Sequence, residues 1–369
     1  MKRCFSLLNG DQLVCTEQAA ILTFSAPRMV LSTAANGGGL RRDLNAVFNY
    51  CDCGTAGVCQ PMEGNTLYDH QRDVALRLGL DPDYTAGLDT AVNLDNMVVV
   101  TRQWQDLWVT AAVSAGADVN ALCAGDPATL TEQAGQPCTV PTGTINIFLI
   151  TGQTLSPGAM VELVLTATEA KTAVLRDLMQ GSSVSPRLAT GTGTDGLVIV
   201  CDDSGTFPCL LNAGKHFKLG ELAAQAVTQA VTEALFRQTG LCPEFQHSLL
   251  RRLQRFGITA KSLRALCPAV LPGGEETFAR ALGKLDRDSF AVAAVVLYVH
   301  LLDQLAAGML TAHQAKDWAL HLLGELAVHL HCEMPQPISQ LPLERWLEQF
   351  LANALTAHLQ EQARLYAGY

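Results

Sequence analysis

The chain contains 369 residues, of which 49% are hydrophobic, and carries a formal net charge of −10 at pH 7. This length exceeds what one ordinary core needs and favours two domains. The acidic balance argues against a nucleic-acid partner, because binding a phosphate backbone normally requires clustered Lys and Arg. The N-terminal residues lack the continuous apolar stretch of a signal peptide, and the longest apolar run, 290–299, falls short of the ~20 residues of a spanning helix. We therefore expect a cytoplasmic protein without a membrane partner.

Short β-rich runs occupy the first two thirds of the chain. Residues 20–24 and 29–33 flank Ala26-Pro27-Arg28 and predict a β-hairpin. The same strand signal recurs at 97–101, 107–113, 144–151 and 196–201. These runs predict a sheet, although its strand order cannot be read from them.

Two amphipathic helices are predicted between these strands. The first spans 157–179, with Ser156 as its N-cap and Pro157 at its first position. The second spans 219–237 and ends at Gly240. Together the elements predict an α/β or α+β layered domain, in which helices flank a mixed sheet, over residues 1–240.

After Gly240 the sequence carries helical periodicity and no convincing strand. Helices are predicted at 278–285, 290–305, 311–331 and 343–366. We assign residues 241–369 to a separate all-α module. Its role is not indicated by the sequence, and contact between copies in a homo-oligomer is one role that we consider.

Three of the twelve cysteines lie close together, in Cys51-Asp52-Cys53 and at Cys59. Zinc sites usually pair cysteines at Cys-x₂₋₄-Cys and need four ligands, and this segment meets neither condition. We assign no metal site, and whether Cys51, Cys53 and Cys59 bind a metal stays open. The remaining cysteines are expected to be free thiols.

Glycine and small polar residues cluster at four predicted strand or helix ends. The clusters are 36–39, which is followed by Arg41, then 143–146, 190–195 and 214–221. Loops of this kind often gather around one ligand site. None contains a Walker A loop, a complete dinucleotide fingerprint or a Gly-x-Ser-x-Gly elbow.

Lys171 falls on the apolar face of the first predicted helix, in line with Val164, Ala167 and Val174. A buried lysine is costly unless it is paired or functional. Either Lys171 belongs to a site, or its aliphatic part lies along the core and its amine reaches the rim.

Several of these motifs, in order and with sensible spacing, closely resemble the adenosylcobinamide amidohydrolase family. The matching segments are Thr166-Ala167-Thr168-Glu169-Ala170-Lys171, 189–195, Gly214-Lys215-His216 and 218–221, with further matches at 31–38, 143–146 and 155–159. The resemblance covers roughly residues 15 to 238. One departure is Tyr50, where some family members carry a histidine after the asparagine that matches Asn49.

The resemblance implies hydrolysis of the amide that joins the propionyl arm of the corrin ring to aminopropanol. The products would be adenosylcobyric acid and 1-aminopropan-2-ol, in corrinoid salvage. Cobalt arrives with the substrate, so no cofactor is expected. Two other functions stay open: a corrinoid-binding or sensing protein without hydrolase activity, and an interaction scaffold.

Amide hydrolysis needs a nucleophile, donors for the oxyanion and a proton for the leaving amine. We expect the catalytic residues to be His216, Asp195, Glu169 and Lys171, with Asp195 orienting His216 or activating water. Backbone N–H groups of 190–194 and Asn146 are expected to stabilise the oxyanion. The expected substrate-binding residues are Asn36, Gly37, Gly38, Arg41, Asn146, Thr190, Thr192, Thr194, Lys218 and Glu221. The nucleophile is either water or the hydroxyl of Thr144, Thr192 or Thr194.

Overall fold

A computed structural model describes residues 2–53, 66–128, 143–269, 274–334 and 341–367. The chain divides into two compact units. The first comprises Met1–Val184 and Leu188–Cys242, and the second comprises Ser185–Arg187 and Pro243–Tyr369.

The described part of the first unit contains strands β1 to β13 and helices α1 to α3. The strands are β1 Arg3–Ser6, β2 Gln12–Cys15, β3 Ala19–Thr23, β4 Arg28–Ser32, β5 Gly39–Arg41, β6 Ala46–Cys51, β7 Thr85–Thr90, β8 Val98–Trp104, β9 Leu107–Ala115, β10 Ala121–Leu122, β11 Ile145–Thr154, β12 Gly191–Thr192 and β13 Gly196–Asp202. The helices are α1 Leu67–Arg77, α2 Pro157–Asp177 and α3 Lys218–Thr239.

The longer strands form two sheets. The first sheet has five strands in the order β1-β2-β3-β6-β7, and the second has six in the order β5-β4-β13-β11-β9-β8. Neighbouring strands are antiparallel except for β6 with β7 and β11 with β13, which are parallel. Strands β10 and β12 pair separately. The predicted mixed α/β architecture is thereby confirmed.

The two sheets pack face to face around an apolar core to which Leu22 and Val47 of the first sheet and Phe148 and Val200 of the second contribute. Helix α1 covers the other face of the first sheet, where Val74 packs with Phe48. Helices α2 and α3 lie against the second sheet. Both faces of its central strands are therefore buried, which explains why β9, β11 and β13 read as continuous apolar runs.

The predicted hairpin at 20–33 is wrong. Strand β3 pairs with β2 and β6 in the first sheet, whereas β4 pairs with β13 and β5 in the second. The link through Pro27 crosses from one sheet to the other. Local turn residues cannot distinguish such a crossing from a hairpin, because pairing is decided by partners far away along the chain.

The predicted caps of the two long helices are confirmed. Ser156 Oγ accepts a hydrogen bond from Ala159 N at 3.1 Å and starts α2. Gly240 ends α3 in the left-handed conformation, at φ 72°. Lys171 lies on the buried face of α2, as its helical phase predicts.

The second unit is helical throughout its described residues. Its helices are α4 Pro243–Gln246, α5 Leu249–Leu253, α6 Ala260–Leu266, α7 Gly274–Asp286, α8 Ser289–Ala306, α9 Ala312–His329 and α10 Leu343–Ala367. Tyr298, fully buried in their core, donates to Leu343 O at 2.7 Å. The four predicted helices correspond to α7 to α10, which confirms the helical region.

Helix α8 meets the length and hydropathy expected of a membrane-crossing helix, with a mean hydropathy of 1.6 over 18 residues, 39% of which are buried within the protein. The apolar run at 290–299 lies within α8, which agrees with the helix predicted at 290–305 to within one residue at each end. Core helices of soluble proteins pass the same test, so this finding alone assigns no membrane.

Candidate active site

Lys171 and Asp195 meet beside the amino end of β13. Because β11 and β13 are parallel, the connection through α2 must return the chain from the carboxyl end of β11 to the amino end of β13. Lys171 lies in the C-terminal half of that helix, and Asp195 directly precedes the strand. Their side chains are 10% and 18% exposed and form an ion pair. Lys171 is thus a buried, paired lysine and does not reach the rim.

The carboxylate of Asp195 is held from several sides. Besides Lys171 Nζ, it accepts hydrogen bonds from Thr192 Oγ1 at 2.5 Å, Thr192 N at 3.0 Å and Ile145 N at 3.1 Å. A Cβ on Gly191 would lie against this carboxylate and 2.9 Å from Lys171 Nζ. The sequence Gly191-Thr192-Gly193-Thr194-Asp195 therefore folds as a tight loop around its own aspartate.

Two further threonines stand next to this cluster. The hydroxyls of Thr144 and Thr194 are 2.6 Å apart, and Thr194 Oγ1 donates to Gly143 O at 3.0 Å. Asn120 Nδ2 donates to the same carbonyl at 2.9 Å. The structure thus brings the predicted loops at 143–146 and 190–195 together.

The expected oxyanion donors are already engaged within the protein. Thr190 N donates to Leu122 O, Thr192 N to Asp195 and Gly193 N to Asn120 O. Asn146 Nδ2 donates to Asn49 Oδ1 and to Asp89 O, both at 2.9 Å. We therefore correct the expectation that these N–H groups face a substrate carbonyl. Lys171 Nζ, with three hydrogens and Asp195 as its described partner, retains donor capacity.

Asn146 belongs to a buried amide cluster between the two sheets. Asn49 Nδ2 donates to Ser114 Oγ at 2.8 Å, and Asn49 is fully buried. Asn146 Oδ1 is buried and has no hydrogen-bond partner among the described residues. Such an orphaned acceptor is costly, and functional sites are among the places where it is found.

A second polar cluster, which the sequence analysis missed, lies between the first sheet and α1. His70 Nε2 lies 2.9 Å from Asp52 Oδ1 and 3.7 Å from Asp89 Oδ1, and Gln71 Nε2 donates to Asp89 Oδ2 at 2.5 Å. Burial, with the nearby negative charge of Asp52, raises the pKa of Asp89 to about 7. The hydrogen bond to Asp52 raises the pKa of His70. We call Asp52, His70 and Asp89 the acidic–histidine cluster.

The predicted glycine-rich turn at 36–39 lies along β7, next to this cluster. Asn36 N donates to Gln71 Oε1 at 2.8 Å, and Asn36 Nδ2 donates to Thr85 O and Pro82 O at 2.9 Å. Gly37 has a φ of 73°, and the carbonyl of Thr85 leaves no room for a Cβ there. The Asn36 amide therefore holds the turn in place.

The other predicted site residues lie elsewhere. His216 is exposed and precedes α3, whereas Asp195 precedes β13, and the structure records no contact between the two side chains. Glu169 points away from the core and pairs with the exposed Lys215. The expectation that Asp195 orients His216 is thus not met, and the catalytic roles of His216 and Glu169 stay predictions.

Three further predicted binding residues are engaged with protein groups at the surface. Arg41 forms an ion pair with Asp43 at 2.7 Å, and the hydrogen bond within that pair raises the pKa of Arg41. Lys218 pairs with Glu221 at 2.5 Å, in the first turn of α3.

The cysteine segment does not offer three thiols. Cys51 is free and donates to Cys53 O at 3.0 Å, whereas Cys53 is disulfide-bonded. Cys59 lies outside the described residues. Because a disulfide sulfur is not a thiolate, a metal held jointly by Cys51, Cys53 and Cys59 is not supported.

Comparison with known proteins confirms the resemblance found in the sequence. The adenosylcobinamide amidohydrolase family matches residues 5–243. An uncharacterized protein of Methanocaldococcus jannaschii is 36% identical over 181 residues, which cover 46% of this chain and 70% of that protein. A Methanosarcina mazei protein named adenosylcobinamide amidohydrolase is 28% identical over 212 residues, which cover 56% of this chain and 88% of that protein. Among solved structures, the PH0078 protein from Pyrococcus horikoshii OT3 aligns with a TM-score of 0.33 and 12% identity, over 65% of this chain and 86% of that one. The chain belongs to the adenosylcobinamide amidohydrolase family.

Proposed function

We propose that this chain hydrolyses the aminopropanol amide of adenosylcobinamide and releases adenosylcobyric acid and 1-aminopropan-2-ol, as a step of corrinoid salvage. Family membership supports the substrate class. The observation that carries the proposal is the buried ion pair of Lys171 and Asp195 with the Thr192 hydroxyl on the same carboxylate. Such a pair supplies, at one place, a hydrogen-bond donor with positive charge and a carboxylate that can accept a proton, which are two of the groups that amide hydrolysis needs.

The reaction breaks the C–N bond of the amide and forms a C–O bond to the carbonyl carbon. Lys171 Nζ is our proposed donor to the carbonyl oxygen, where negative charge develops. Asp195 is the proposed acceptor of the proton that the attacking oxygen gives up, and it passes that proton to the amine nitrogen as the C–N bond breaks. The attacking oxygen is that of water or of the Thr192 hydroxyl, which lies 2.5 Å from Asp195 Oδ1. Attack by Thr192 would form an ester, which water then hydrolyses to release the acid and restore the hydroxyl.

The decisive assay is incubation of the purified full-length chain with adenosylcobinamide, with the products separated and identified by mass. We expect adenosylcobyric acid and 1-aminopropan-2-ol in equal amounts. Binding of the corrinoid without either product would instead support a corrinoid-binding or sensing protein. Neither binding nor turnover would contradict both functions.

We also propose that turnover needs no cofactor beyond the cobalt that enters with the corrinoid. If so, enzyme that is dialysed against a chelator, and then freed of it, retains its rate of aminopropanol release. The chelator cannot remove cobalt from the corrin ring, so the substrate stays intact. Since no other metal is required under this proposal, added metal ions should not increase the rate. A rate that falls on chelation and returns on addition of a metal would contradict this proposal.

A further inference from the structure

We propose that the acidic–histidine cluster, Asp52, His70 and Asp89, binds a divalent transition-metal ion of the zinc class. The inference goes beyond the proposed function, because it concerns the binding of an ion and holds whether or not that ion takes part in hydrolysis.

Geometry is the first argument. One potential ligand atom from each residue lies within 4.8 Å of the other two. His70 Nε2 is 2.9 Å from Asp52 Oδ1 and 3.7 Å from Asp89 Oδ1. Ligands bonded to zinc at about 2.0–2.2 Å are themselves roughly 3–4 Å apart in tetrahedral geometry. An ion therefore fits among these three atoms with small side-chain movements.

Charge is the second argument. Asp52 and Asp89 both face His70, and within the residues that the structure describes neither carboxylate is paired with a lysine or arginine. The two carboxylates meet in a largely buried site, where the His70 side chain is 4% and the Asp89 side chain 14% exposed. Two carboxylates close together repel each other unless a proton or a cation lies between them. A divalent ion neutralises both.

An orphaned acceptor is the third, independent observation. Asp89 Oδ1, which faces His70 Nε2, is buried and has no hydrogen-bond partner among the described residues. Its other oxygen is held by Gln71, which fixes the orientation of the carboxylate. Metal-binding carboxylates are commonly hydrogen-bonded in this way by residues that do not touch the ion.

Each of the three residues is carried by a regular element or its immediate end. Asp89 lies within β7, Asp52 directly follows the parallel neighbour β6, and His70 belongs to α1. Asp52 N donates to Thr90 O at 2.9 Å, which ties the end of β6 to β7. The ligand set is therefore preorganised, and an ion would connect α1 to the first sheet.

The ligand types indicate the class of ion. One imidazole nitrogen with two carboxylate oxygens suits zinc or manganese, whereas magnesium prefers oxygen ligands in a near-ideal octahedron. Three protein ligands would leave at least one position for water.

The test uses full-length protein that has been stripped with a chelator and dialysed, then titrated with Zn²⁺ by isothermal calorimetry. We expect binding of one equivalent, and at least ten-fold weaker affinity in each of Asp52→Asn, His70→Gln and Asp89→Asn. The matched controls are Asp106→Asn and His300→Gln, both exposed and outside the cluster, which should bind like the wild type. The inference would be overturned if all five variants bound Zn²⁺ with the affinity of the wild type, or if the wild type did not bind Zn²⁺.

Co²⁺ provides a second readout that needs no variant and no substrate. Loading the wild type with Co²⁺ should give a visible absorption spectrum of nitrogen and oxygen ligation. A thiolate-to-cobalt charge-transfer band would place the ion on cysteine and overturn the assignment. Neither measurement uses the corrinoid. A protein that binds no ion could therefore still hydrolyse adenosylcobinamide, and a protein without hydrolase activity could still bind the ion.

Discussion

Replacing Lys171 with Met is expected to lower the rate of aminopropanol release by on the order of 10²-fold or more. Methionine keeps an unbranched apolar side chain that is one atom shorter, but removes the ammonium group that pairs with Asp195. The proposed donor to the carbonyl oxygen is then absent, and the Asp195 carboxylate loses its counter-ion. The measurement is kcat for adenosylcobinamide hydrolysis, with corrinoid affinity measured separately.

Corrinoid binding serves as the check on folding, because a variant that still binds substrate but does not cleave it has kept its structure. Lys284→Met replaces an exposed lysine in α7 and should leave the rate unchanged. Asp195→Asn, which removes the carboxylate charge but keeps the side-chain shape, should lose activity as Lys171→Met does. Full activity in both Lys171→Met and Asp195→Asn would remove this pair from the mechanism.

Replacing Arg28 with Met is expected to cause the largest loss of stability, a decrease in the free energy of unfolding of about 3–5 kcal/mol. Arg28 is 2% exposed and bonds to Asp11 Oδ1 at 2.9 Å and to Asp202 Oδ1 at 3.0 Å. Asp11 and Asp202 are themselves buried. Without the guanidinium, two carboxylates remain in the interior with no opposite charge between them.

The measurement is urea denaturation of the purified variant, compared with that of Arg237→Met. Arg237 forms an i,i+4 pair with Glu233, and both side chains are about two-fifths exposed. Its loss should cost about 0.5 kcal/mol or less, because exposed pairs are screened by water. Equal midpoints for the two variants would show that the buried network contributes no more than a surface pair.

Elements with a strong local pattern were predictable from sequence. The helical phase of α2 placed Lys171 on the buried face, and Ser156 and Gly240 marked helix ends, because these signals lie within a few residues. The pairing of Lys171 with Asp195 could not be read directly, since the two are 24 residues apart and meet only through the crossover.

Features that depend on distant partners were missed. Successive side chains of β6 point toward α1 and toward the second sheet, and both faces are buried. The apolar run that would predict such a strand is interrupted by Asn49. Helix α1 has few apolar residues and was not predicted. The sequence therefore did not show that His70 lies on a helix. Without α1 and β7, the meeting of Asp52, His70 and Asp89 had no basis in the sequence.

The loop at 190–195 shows a different limit of sequence reasoning. Its glycines and threonines correctly indicated a tight, polar loop, but the same composition fits a loop that binds a ligand and one that binds itself. In the structure its N–H groups donate to Leu122, Asn120 and Asp195. Whether the loop binds a ligand or its own groups depends on β10 and on Asn120, and both lie outside the motif.

The most direct test is hydrolysis of adenosylcobinamide in water enriched in ¹⁸O, followed by mass analysis of both products. Attack by water on the carbonyl, whether direct or through an acyl-enzyme, transfers one heavy oxygen to the new carboxylate of adenosylcobyric acid and leaves 1-aminopropan-2-ol unlabelled. That pattern, lost in Lys171→Met, is the predicted result. Bound corrinoid that stays intact with the wild-type protein, or a label carried by the aminopropanol, would contradict amide hydrolysis by this chain.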